Sequence, residues 1–374
     1  MSNKKYCIFY FCMLPTREFA VTTIRLLTPR YKSYLKRRKA MNYKLKRIAM
    51  LGMVCLVALS IIWAASPAFA VKGLRFAHVY EVKTPYHEAA LMAAKEVEEK
   101  TAGRYSIKVF PASSLGKEQA INEGISLGTI DIIYTGCGFA SRSFGPIGIS
   151  DYPFTLRGYP HWKAYTQSDL FAELSEGYKE ATGGATVVAL TYYGARQVTA
   201  NKPILTPADM KDLKIRVPNA PSYVLFPKAV GANPTPMAFS EVYLALQQKV
   251  VDAQENPLPT IQFKKFYEVQ SNINLTAHIT NSLITVVSSS TLKKMDPADQ
   301  KILTEALKNS SEWASKQIVQ AEKDLVSWFR DQGVKVNEVD RKPFMDIVKP
   351  HLLTKDMPWT PDIYERLQAI PDAK

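Results

Sequence analysis

Cysteine is scarce in this chain and is concentrated at its beginning. Of the four cysteines, Cys7, Cys12 and Cys55 lie within the first 70 residues, and Cys137 is the only one after them. A single thiol can form neither an internal disulfide nor a multi-cysteine zinc site. The chain after residue 70 must therefore be stabilised by a hydrophobic core, and its roughly 300 residues are enough for two lobes.

An excess of one charge is also missing once the beginning of the chain is set aside. The first 70 residues hold 13 of the 48 lysines and arginines but only one of the 34 acidic residues. The remainder carries 35 basic and 33 acidic residues, a net charge of +2. We therefore expect no nucleic-acid partner, because binding of phosphate backbones requires clustered positive charge.

The usual signatures of catalysis are absent as well. The sequence contains no HExxH or P-loop motif, and no cysteine–histidine pattern surrounds Cys137. His78 has no partner at a spacing typical of metal ligands. We therefore expect no enzyme activity, no cofactor, no catalytic residue and no metal site.

Residues 41–70 have the three parts of a secretory signal peptide. A basic start at 44–47 precedes a mostly apolar run at 48–65, and Ala68-Phe69-Ala70 matches the A-x-A cleavage pattern. The pattern predicts export from the cytoplasm with cleavage after Ala70. An uncleaved transmembrane anchor is the alternative, because the apolar run approaches the minimum length for crossing a bilayer.

Residues 1–40 do not fit this leader. A basic region of that length is unusual before an apolar run, whereas Met41 begins a compact signal peptide by itself. We interpret residues 1–40 as a mis-assigned upstream extension, with translation starting at Met41. A genuine cytoplasmic tail is the alternative.

After residue 70 the chain alternates short apolar runs with amphipathic stretches. Their periodicity predicts strands at 74–79, 105–110 and 131–134, separated by helices at 85–100 and 118–127. This β-α-β-α-β order predicts an α/β fold whose first lobe has a largely parallel sheet. Ligands of such folds lie outside the carboxyl ends of the strands or between lobes.

The second half of the chain continues this alternation and contains one unusually long helical region. Asp296 is expected to be its N-cap and Pro297 its first residue, and it runs to about Arg330. Since it exceeds the usual helix length, we interpret it as a helix that braces two lobes, or as two helices in succession. Further helices are predicted at 162–179, 222–230 and 239–251, and further strands at 185–193, 213–217, 283–288 and 334–336.

Several long motifs after residue 70 connect the chain to a known family. They are residues 111–116 (PASSLG), 194–197 (GARQ) followed by 200–204 (ANKPI), 208–211 (ADMK), 214–219 (KIRVPN) and the block 231–257. Through these motifs the chain resembles the periplasmic solute-binding proteins of tripartite ATP-independent periplasmic (TRAP) transporters, of the DctP type. The resemblance covers essentially all of residues 71–374.

The resemblance implies a two-lobed α/β fold like that of periplasmic binding proteins, with hinge strands and a long bracing helix. The expected bounds are 71–193 plus 282–321 for lobe I and 194–281 plus 322–374 for lobe II. Members of the family bind one anion between the lobes. Closure of the lobes then delivers the solute to a small and a large membrane permease subunit, so the expected partners are an organic acid anion and these subunits.

The resemblance also implies which residues hold the ligand carboxylate. Arg216 matches the signature arginine of the family, whose planar guanidinium suits a two-pronged salt bridge. Arg196 matches a second arginine that contacts the carboxylate, and Asn256 matches an asparagine at the same site. Arg196 could instead brace the turn after Gly194, and Asn256 could instead cap the helix before Pro257.

Three more residues are expected to contact the ligand. Asn219 and Phe239 fall on pocket-lining positions, although Phe239 could be plain core. Glu118 matches an acid that contacts ligand hydroxyl groups, although a carboxylate near a helix start is also favoured by the helix dipole.

Departures from the family pattern bear on the ligand. Members that bind sialic acid carry an acid and a base at the positions that match Gly136 and Phe139, and a polar residue at the position of Val79. We therefore expect a smaller or more apolar monocarboxylate, of the 2-oxo, aromatic or uronate type. A C4-dicarboxylate is the alternative, because two arginines can serve two carboxylates. A ligand-binding sensor for a membrane kinase is a second alternative.

Overall fold

The computed structural model describes residues 29–64 and 71–373. The chain divides into two compact units, Met1–Phe69 and Ala70–Lys374. In the first unit helix α1 spans Pro29–Ala64, and the expected cleavage site at Ala70 lies outside the described residues. Within the described part, none of the helices combines the length and the apolar character needed to cross a membrane.

The described residues of the second unit form nine strands and twelve α-helices, besides short 3-10 turns. The strands are β1 Lys72–Ala77, β2 Tyr105–Phe110, β3 Ile132–Gly136, β4 Thr186–Ala200, β5 Lys214–Val217, β6 Asn233–Pro236, β7 Ala253–Pro257, β8 Asn272–Val287 and β9 Lys335–Glu338. The helices are α2 Pro85–Lys100, α3 Glu118–Ser126, α4 Cys137–Ala140, α5 Tyr159–Thr166, α6 Asp169–Ala181, α7 Pro221–Ala229, α8 Val242–Gln247, α9 Leu258–Phe263, α10 Ser289–Lys293, α11 Pro297–Asp331, α12 Lys342–Val348 and α13 Pro361–Ala369.

All nine strands belong to one mixed sheet, so the expected α/β class is confirmed. The order is β2-β1-β3-β8-β4-β7-β5-β6, and β9 pairs with β8. Strands β1, β2 and β3 are parallel to one another, as the sequence predicts. The two central strands, β4 and β8, are antiparallel to each other, which the sequence pattern did not predict.

Strands β4 and β8 are much longer than the apolar runs that predict them. They span 15 and 16 residues, whereas the runs cover only 185–193 and 283–288. The missed portions carry buried polar side chains, such as Arg196 in β4 and Asn274 in β8. Polar residues interrupt the apolar pattern, and only pairing across the sheet identifies them as strand.

Gly194 bends β4 at its middle. It pairs with Asn281 of β8, next to an irregularity in the register, and its φ of 114° lies in a region that side-chain-bearing residues rarely adopt. A Cβ at this position would lie 2.7 Å from the Cβ of Pro257 and 3.0 Å from Oε1 of Glu322. The bend therefore requires glycine for both conformation and space.

Helix α11 is one continuous helix of 35 residues, which decides between the two interpretations of this region. Asp296 occupies the N-cap position without a side-chain capping hydrogen bond, and Pro297 begins the helix. Leu303 and Leu307 are buried in the larger hydrophobic core, whereas Leu325 and Phe329 are buried in a second, separate core. The helix therefore braces both cores.

Two predicted helices differ from the structure. The region 162–179 is two helices, α5 and α6, and the Ser168 hydroxyl caps the second by accepting a hydrogen bond from the N–H of Phe171 at 3.2 Å. The region 239–251 contains a short 3-10 turn, Phe239–Glu241, followed by the six-residue α8. Strand β7 after it was missed, because the polar residues 254–256 hide a fully buried strand.

The two-lobed division is a feature of the fold, but its expected bounds stay a prediction. The boundary in β4, between 193 and 194, faces the boundary in β8, between 281 and 282, because Gly194 pairs with Asn281. The C-terminal segment, expected in lobe II, also contacts residues expected in lobe I. The rings of Trp359 and Tyr152 are 4.5 Å apart, and Arg366 forms an ion pair with Glu173 of α6.

Candidate ligand-binding cavity

A cavity of about 430 Å³ lies against the carboxyl ends of several parallel strands. Its lining includes Tyr80 after β1, Gly136 at the end of β3, Pro218 after β5 and Pro236 at the end of β6. This is the place where α/β sheets usually bind ligands. All six residues predicted from the sequence line this cavity: Glu118, Arg196, Arg216, Asn219, Phe239 and Asn256.

Arg216 is a buried cation with unused hydrogen-bond donors. It lies in β5 and is 2% exposed. Its Nε and Nη2 donate to the carbonyl oxygen of Met237 at 3.1 and 2.7 Å, and its Nη1 has no partner. Within residues 71–373 it forms no ion pair with an acid. Burial lowers the pKa of Arg216 to about 10, so the guanidinium remains charged at neutral pH and can bind an anion.

Arg196 is equally buried, but its charge is compensated. Its Nε donates to Oε2 of Glu255, and its Nη2 donates to Oε1 and to the carbonyl oxygen of Glu255, both at 2.7 Å. Its Nη1 donates to Oδ1 of Asn281 at 2.8 Å. A guanidinium has five N–H donors, so one donor at Nη1 is left for a ligand.

Glu255 is held in its charged form by this arrangement. Burial opposes its ionisation, but the charge of Arg196 and hydrogen bonds from His278 and Arg196 outweigh burial and lower the pKa of Glu255. His278 lies 3.2 Å from Oε2 of Glu255. Burial lowers the pKa of His278, so this imidazole is neutral and donates from Nε2. The group therefore carries one positive and one negative charge.

Glu118 begins α3, and this half-buried acid lines the cavity. Its Oε1 accepts hydrogen bonds from the Thr135 hydroxyl at 3.0 Å and from the N–H of Gly136 at 2.9 Å. Burial raises the pKa of Glu118 to about 7, although these hydrogen bonds act in the opposite direction. At neutral pH it is therefore partly protonated, and its carboxyl can both donate and accept hydrogen bonds.

The two asparagines occupy different environments. Asn256 is buried at the end of β7, and its Nδ2 donates to Oε1 of Gln254 at 2.6 Å. It makes no capping hydrogen bond to α9, whose N-cap is Pro257, so its amide can contact a ligand. Asn219 follows β5, and its carbonyl oxygen accepts a hydrogen bond from Arg142 at 2.7 Å.

Aromatic rings form the apolar part of the cavity wall. Phe239 lies 6.2 Å from Tyr80, and Tyr80 lies 5.3 Å from Tyr193, as distances between ring centroids. The guanidinium carbon of Arg216 lies 6.0 Å from the centroid of Phe239. The cavity therefore combines a charged donor group with faces suited to carbon–hydrogen surface.

The geometry offers binding groups rather than an activated nucleophile. Cys137 is buried and is not part of the cavity lining, and burial raises the pKa of its thiol. His78 approaches His87 at 3.1 Å between ring nitrogens. In the part of the chain that the structure describes, no group of three histidines, cysteines or acids could hold a metal ion.

Comparison with known proteins is consistent with this geometry. The family of bacterial extracellular solute-binding proteins, family 7 (DctP), matches residues 76–355. The chain is 33% identical over 294 residues to the sialic acid-binding periplasmic protein SiaP of Vibrio cholerae, which covers 79% of this chain and 91% of that protein.

Two solved structures of TRAP periplasmic solute-binding proteins are also similar. One, from Polaromonas sp. JS666 with bound D-erythronate, has a TM-score of 0.76 and 30% identity. The other, from Shewanella oneidensis with bound succinate, has a TM-score of 0.77 and 26% identity. In both comparisons the match covers 80% of this chain and 99% of the other chain.

The chain belongs to this family. It is a DctP-type TRAP solute-binding protein with the two-lobed fold of its relatives, which are periplasmic receptors rather than enzymes. Among these relatives the bound carboxylate differs, so membership alone does not fix the ligand.

Several cavity residues of this TRAP solute-binding protein were not predicted from the sequence. They are Tyr80, Tyr193, Tyr223 and Asn281, all of which line the cavity. Glu255 neutralises Arg196 from 59 positions away. The available signal was weak: these are polar or aromatic residues inside long strands or after a strand end, and many such residues serve only packing.

Proposed function

We propose that this chain is the periplasmic receptor of a TRAP transporter and binds a small organic acid anion in the cavity. Arg216 holds the ligand carboxylate, Asn256 and the remaining donor of Arg196 orient it, and Glu118 contacts hydroxyl groups. Phe239 and Asn219 complete the wall. The receptor then delivers the anion to the small and large permease subunits.

The observation that carries this proposal is the buried Arg216 without an acidic partner. Burying a cation is costly unless an opposite charge compensates it. A ligand carboxylate supplies that charge and two charge-assisted hydrogen bonds, which contribute about 1.5–3 kcal/mol each. With burial of an apolar portion of the ligand, this is sufficient for micromolar binding, about 8 kcal/mol.

Export and lobe movement are part of the same proposal. Cleavage after Ala70 releases the receptor, and the second unit begins at that residue. The hinge lies where Gly194 pairs with Asn281 and where Oε1 of Glu322 in α11 accepts a hydrogen bond from the N–H of Ala195 at 2.6 Å. These contacts support the expected boundaries at 193/194, 281/282 and 321/322.

A thermal-shift screen of residues 71–374 tests the proposal, because a ligand that binds only the folded state raises its apparent stability. The panel contains 2-oxo acids, aromatic acids, uronates, aldonates, C4-dicarboxylates and sialate. A large shift confined to one class identifies the solute. The protein is also unfolded and refolded before a second screen, to remove any co-purified ligand; a refolded protein that melts cooperatively and responds to none of these acids contradicts the proposal.

A further inference from the structure

The cationic groups of the cavity are not equally available to a ligand. Lys117, Arg196 and Arg216 line it. Lys117 forms an ion pair with Glu241, which lines the same cavity, and Arg196 forms one with Glu255. Within residues 71–373, Arg216 is the only cavity cation without an acidic partner. The cavity therefore offers one positive charge without an ion-pair partner, although three basic side chains reach it.

Acids at the cavity and behind its wall make binding of a second ligand carboxylate still less favourable. Glu118 lines the cavity, and its hydrogen bonds from the described residues all go to Oε1. Oε2 is left for a ligand, and it can bind a hydroxyl group in either protonation state. A ligand carboxylate at this place would instead meet a group that carries or develops negative charge, and like charges repel strongly in a buried site.

Behind the cavity wall, Asp151 adds a second acid. Its Oδ2 accepts hydrogen bonds from the Tyr223 hydroxyl and from the N–H of Gly138, both at 2.8 Å. Tyr223 lines the cavity, and its hydroxyl also accepts a hydrogen bond from Nδ2 of Asn281 at 3.3 Å. The cation at this wall is Arg196, which donates to Asn281 at 2.8 Å and lies 4.8 Å from the Tyr223 ring centroid, and its charge is already paired with Glu255.

Positions 136 and 139 cannot supply the missing cation either. A Cβ at Gly136 would lie 2.9 Å from the Tyr223 hydroxyl and 3.3 Å from Oδ2 of Asp151. The tyrosine thus fills the space that a side chain at 136 would need. Phe139 lines the cavity with an aromatic ring, which offers no charge.

From this distribution of groups we infer that the ligand has a single carboxylate, bound at Arg216, and hydroxyl groups bound at Glu118. The inference rests on the proposed function and makes it more specific: the receptor takes a hydroxylated monocarboxylate, of the aldonate or uronate class, and rejects a dicarboxylate of the same length. The similar structures contain acids of both kinds, so the charges in this cavity decide between them.

Calorimetry with two matched sets of acids tests the inference on protein purified after expression of the full chain. The four-carbon set is butyrate, D-erythronate, succinate and tartrate; the six-carbon set is hexanoate, galactonate, adipate and galactarate. Each set varies the number of carboxylates and the presence of hydroxyl groups independently. We expect the hydroxylated monocarboxylate of at least one set to bind at least about tenfold more tightly than the other three acids.

Other outcomes separate this inference from the proposed function. If succinate, tartrate, adipate or galactarate binds as tightly as its monocarboxylate counterpart, the inference is wrong and the receptor function stands. The same holds if butyrate or hexanoate matches the hydroxylated acid, or if the only acids of the wider panel that bind are neither aldonates nor uronates. If neither these sets nor the wider panel contains a ligand, both are wrong.

A variant of Glu118 tests its assigned contact. Glu118→Ala should weaken binding of the hydroxylated acid by about tenfold and leave that of the hydroxyl-free monocarboxylate unchanged. Glu123→Ala, on the exposed face of the same helix, is the matched control. Glu118→Gln keeps a hydrogen-bonding group of the same shape and should retain most of the affinity, so it remains informative if the alanine variant does not fold. Equal weakening for both acids in Glu118→Ala would overturn the contact.

Discussion

Arg196 and Arg216 are both 2% exposed and line the same cavity, yet their surroundings differ. Arg196 uses four of its donors on Glu255 and Asn281. Arg216 uses only two, on one carbonyl oxygen, and forms no ion pair with an acid among the described residues. The comparison teaches that burial does not by itself identify a ligand contact. A buried charge with a protein partner belongs to the scaffold, and one without such a partner needs a ligand.

Removing the acid beside Arg196 should have the largest effect on stability. Glu255→Gln leaves the guanidinium buried and unpaired, which should lower the free energy of unfolding by about 3–5 kcal/mol. Urea unfolding monitored by circular dichroism measures this loss. The double variant Arg196→Met with Glu255→Leu removes both charges and should regain most of it. Unchanged urea resistance of Glu255→Gln would mean that the ion pair does not stabilise the fold.

The opposite behaviour is expected at Arg216. Arg216→Ala should weaken ligand binding by about 100-fold or more, because two charge-assisted hydrogen bonds are lost. The same variant should not lower the stability of the ligand-free protein, since it removes an uncompensated buried charge. Calorimetry with the acid identified by the screen and urea unfolding measure the two effects.

Two further variants control this experiment. Arg330→Ala lies outside the cavity and should change neither quantity. Arg216→Lys retains the charge without the planar fork and should bind with intermediate affinity. If Arg216→Ala binds the ligand as tightly as the wild type, Arg216 is not the ligand-binding arginine, and the contrast with Arg196 is wrong.

Buried acids extend the comparison to pH dependence. Burial raises the pKa of Glu322 to about 7, against hydrogen bonds from the N–H of Ala195 and the Tyr192 hydroxyl. A group with a raised pKa stabilises the fold fully below its unfolded pKa of about 4.5 and loses that contribution as the pH rises through about 7. Between pH 5 and pH 8 this should cost about 2 kcal/mol of stability.

Glu322→Gln should remove that part of the pH dependence. Glu118, whose pKa is also raised to about 7, contributes a similar loss and remains in the variant. Urea unfolding of both proteins should therefore show that the stability difference between the wild type and Glu322→Gln shrinks by about 2 kcal/mol between pH 5 and pH 8, because the other titrating groups are common to both. A variant with the full wild-type slope would assign the titration to another group.

The exposed ion pair at the edge of the cavity should have the smallest effect on ligand affinity. The side chains of Lys117 and Glu241 are 59% and 48% exposed, so solvent and salt screen their attraction. Lys117→Ala should change ligand affinity by less than about threefold. Calorimetry at low and high salt measures the ligand affinity of this variant. A tenfold loss of affinity would show that the ion pair contributes directly to ligand binding.

The residues predicted to contact a ligand lie together in the structure, whereas several of the elements that carry them were predicted incompletely. All six predicted residues line one cavity, because family motifs such as the one around Arg216 are contiguous in the sequence. The strands β4, β7 and β8 were shortened or missed, because buried polar residues such as Glu255 and Asn274 interrupt their apolar pattern. Patterns of hydrophobicity detect strands whose buried positions are apolar, and these are not.

The sequence by itself determined the α/β class, the family, the single cysteine after residue 70 and the two arginines of the cavity. Only the tertiary structure decided which arginine is available to a ligand. Pairing of β4 with β7 places Val198 opposite Glu255, and this register brings the carboxylate of Glu255 to the guanidinium of Arg196. Arg216 lies on β5, whose register with β7 reaches only Gln254. Charge compensation depends on such long-range contacts, and sequence spacing does not encode them.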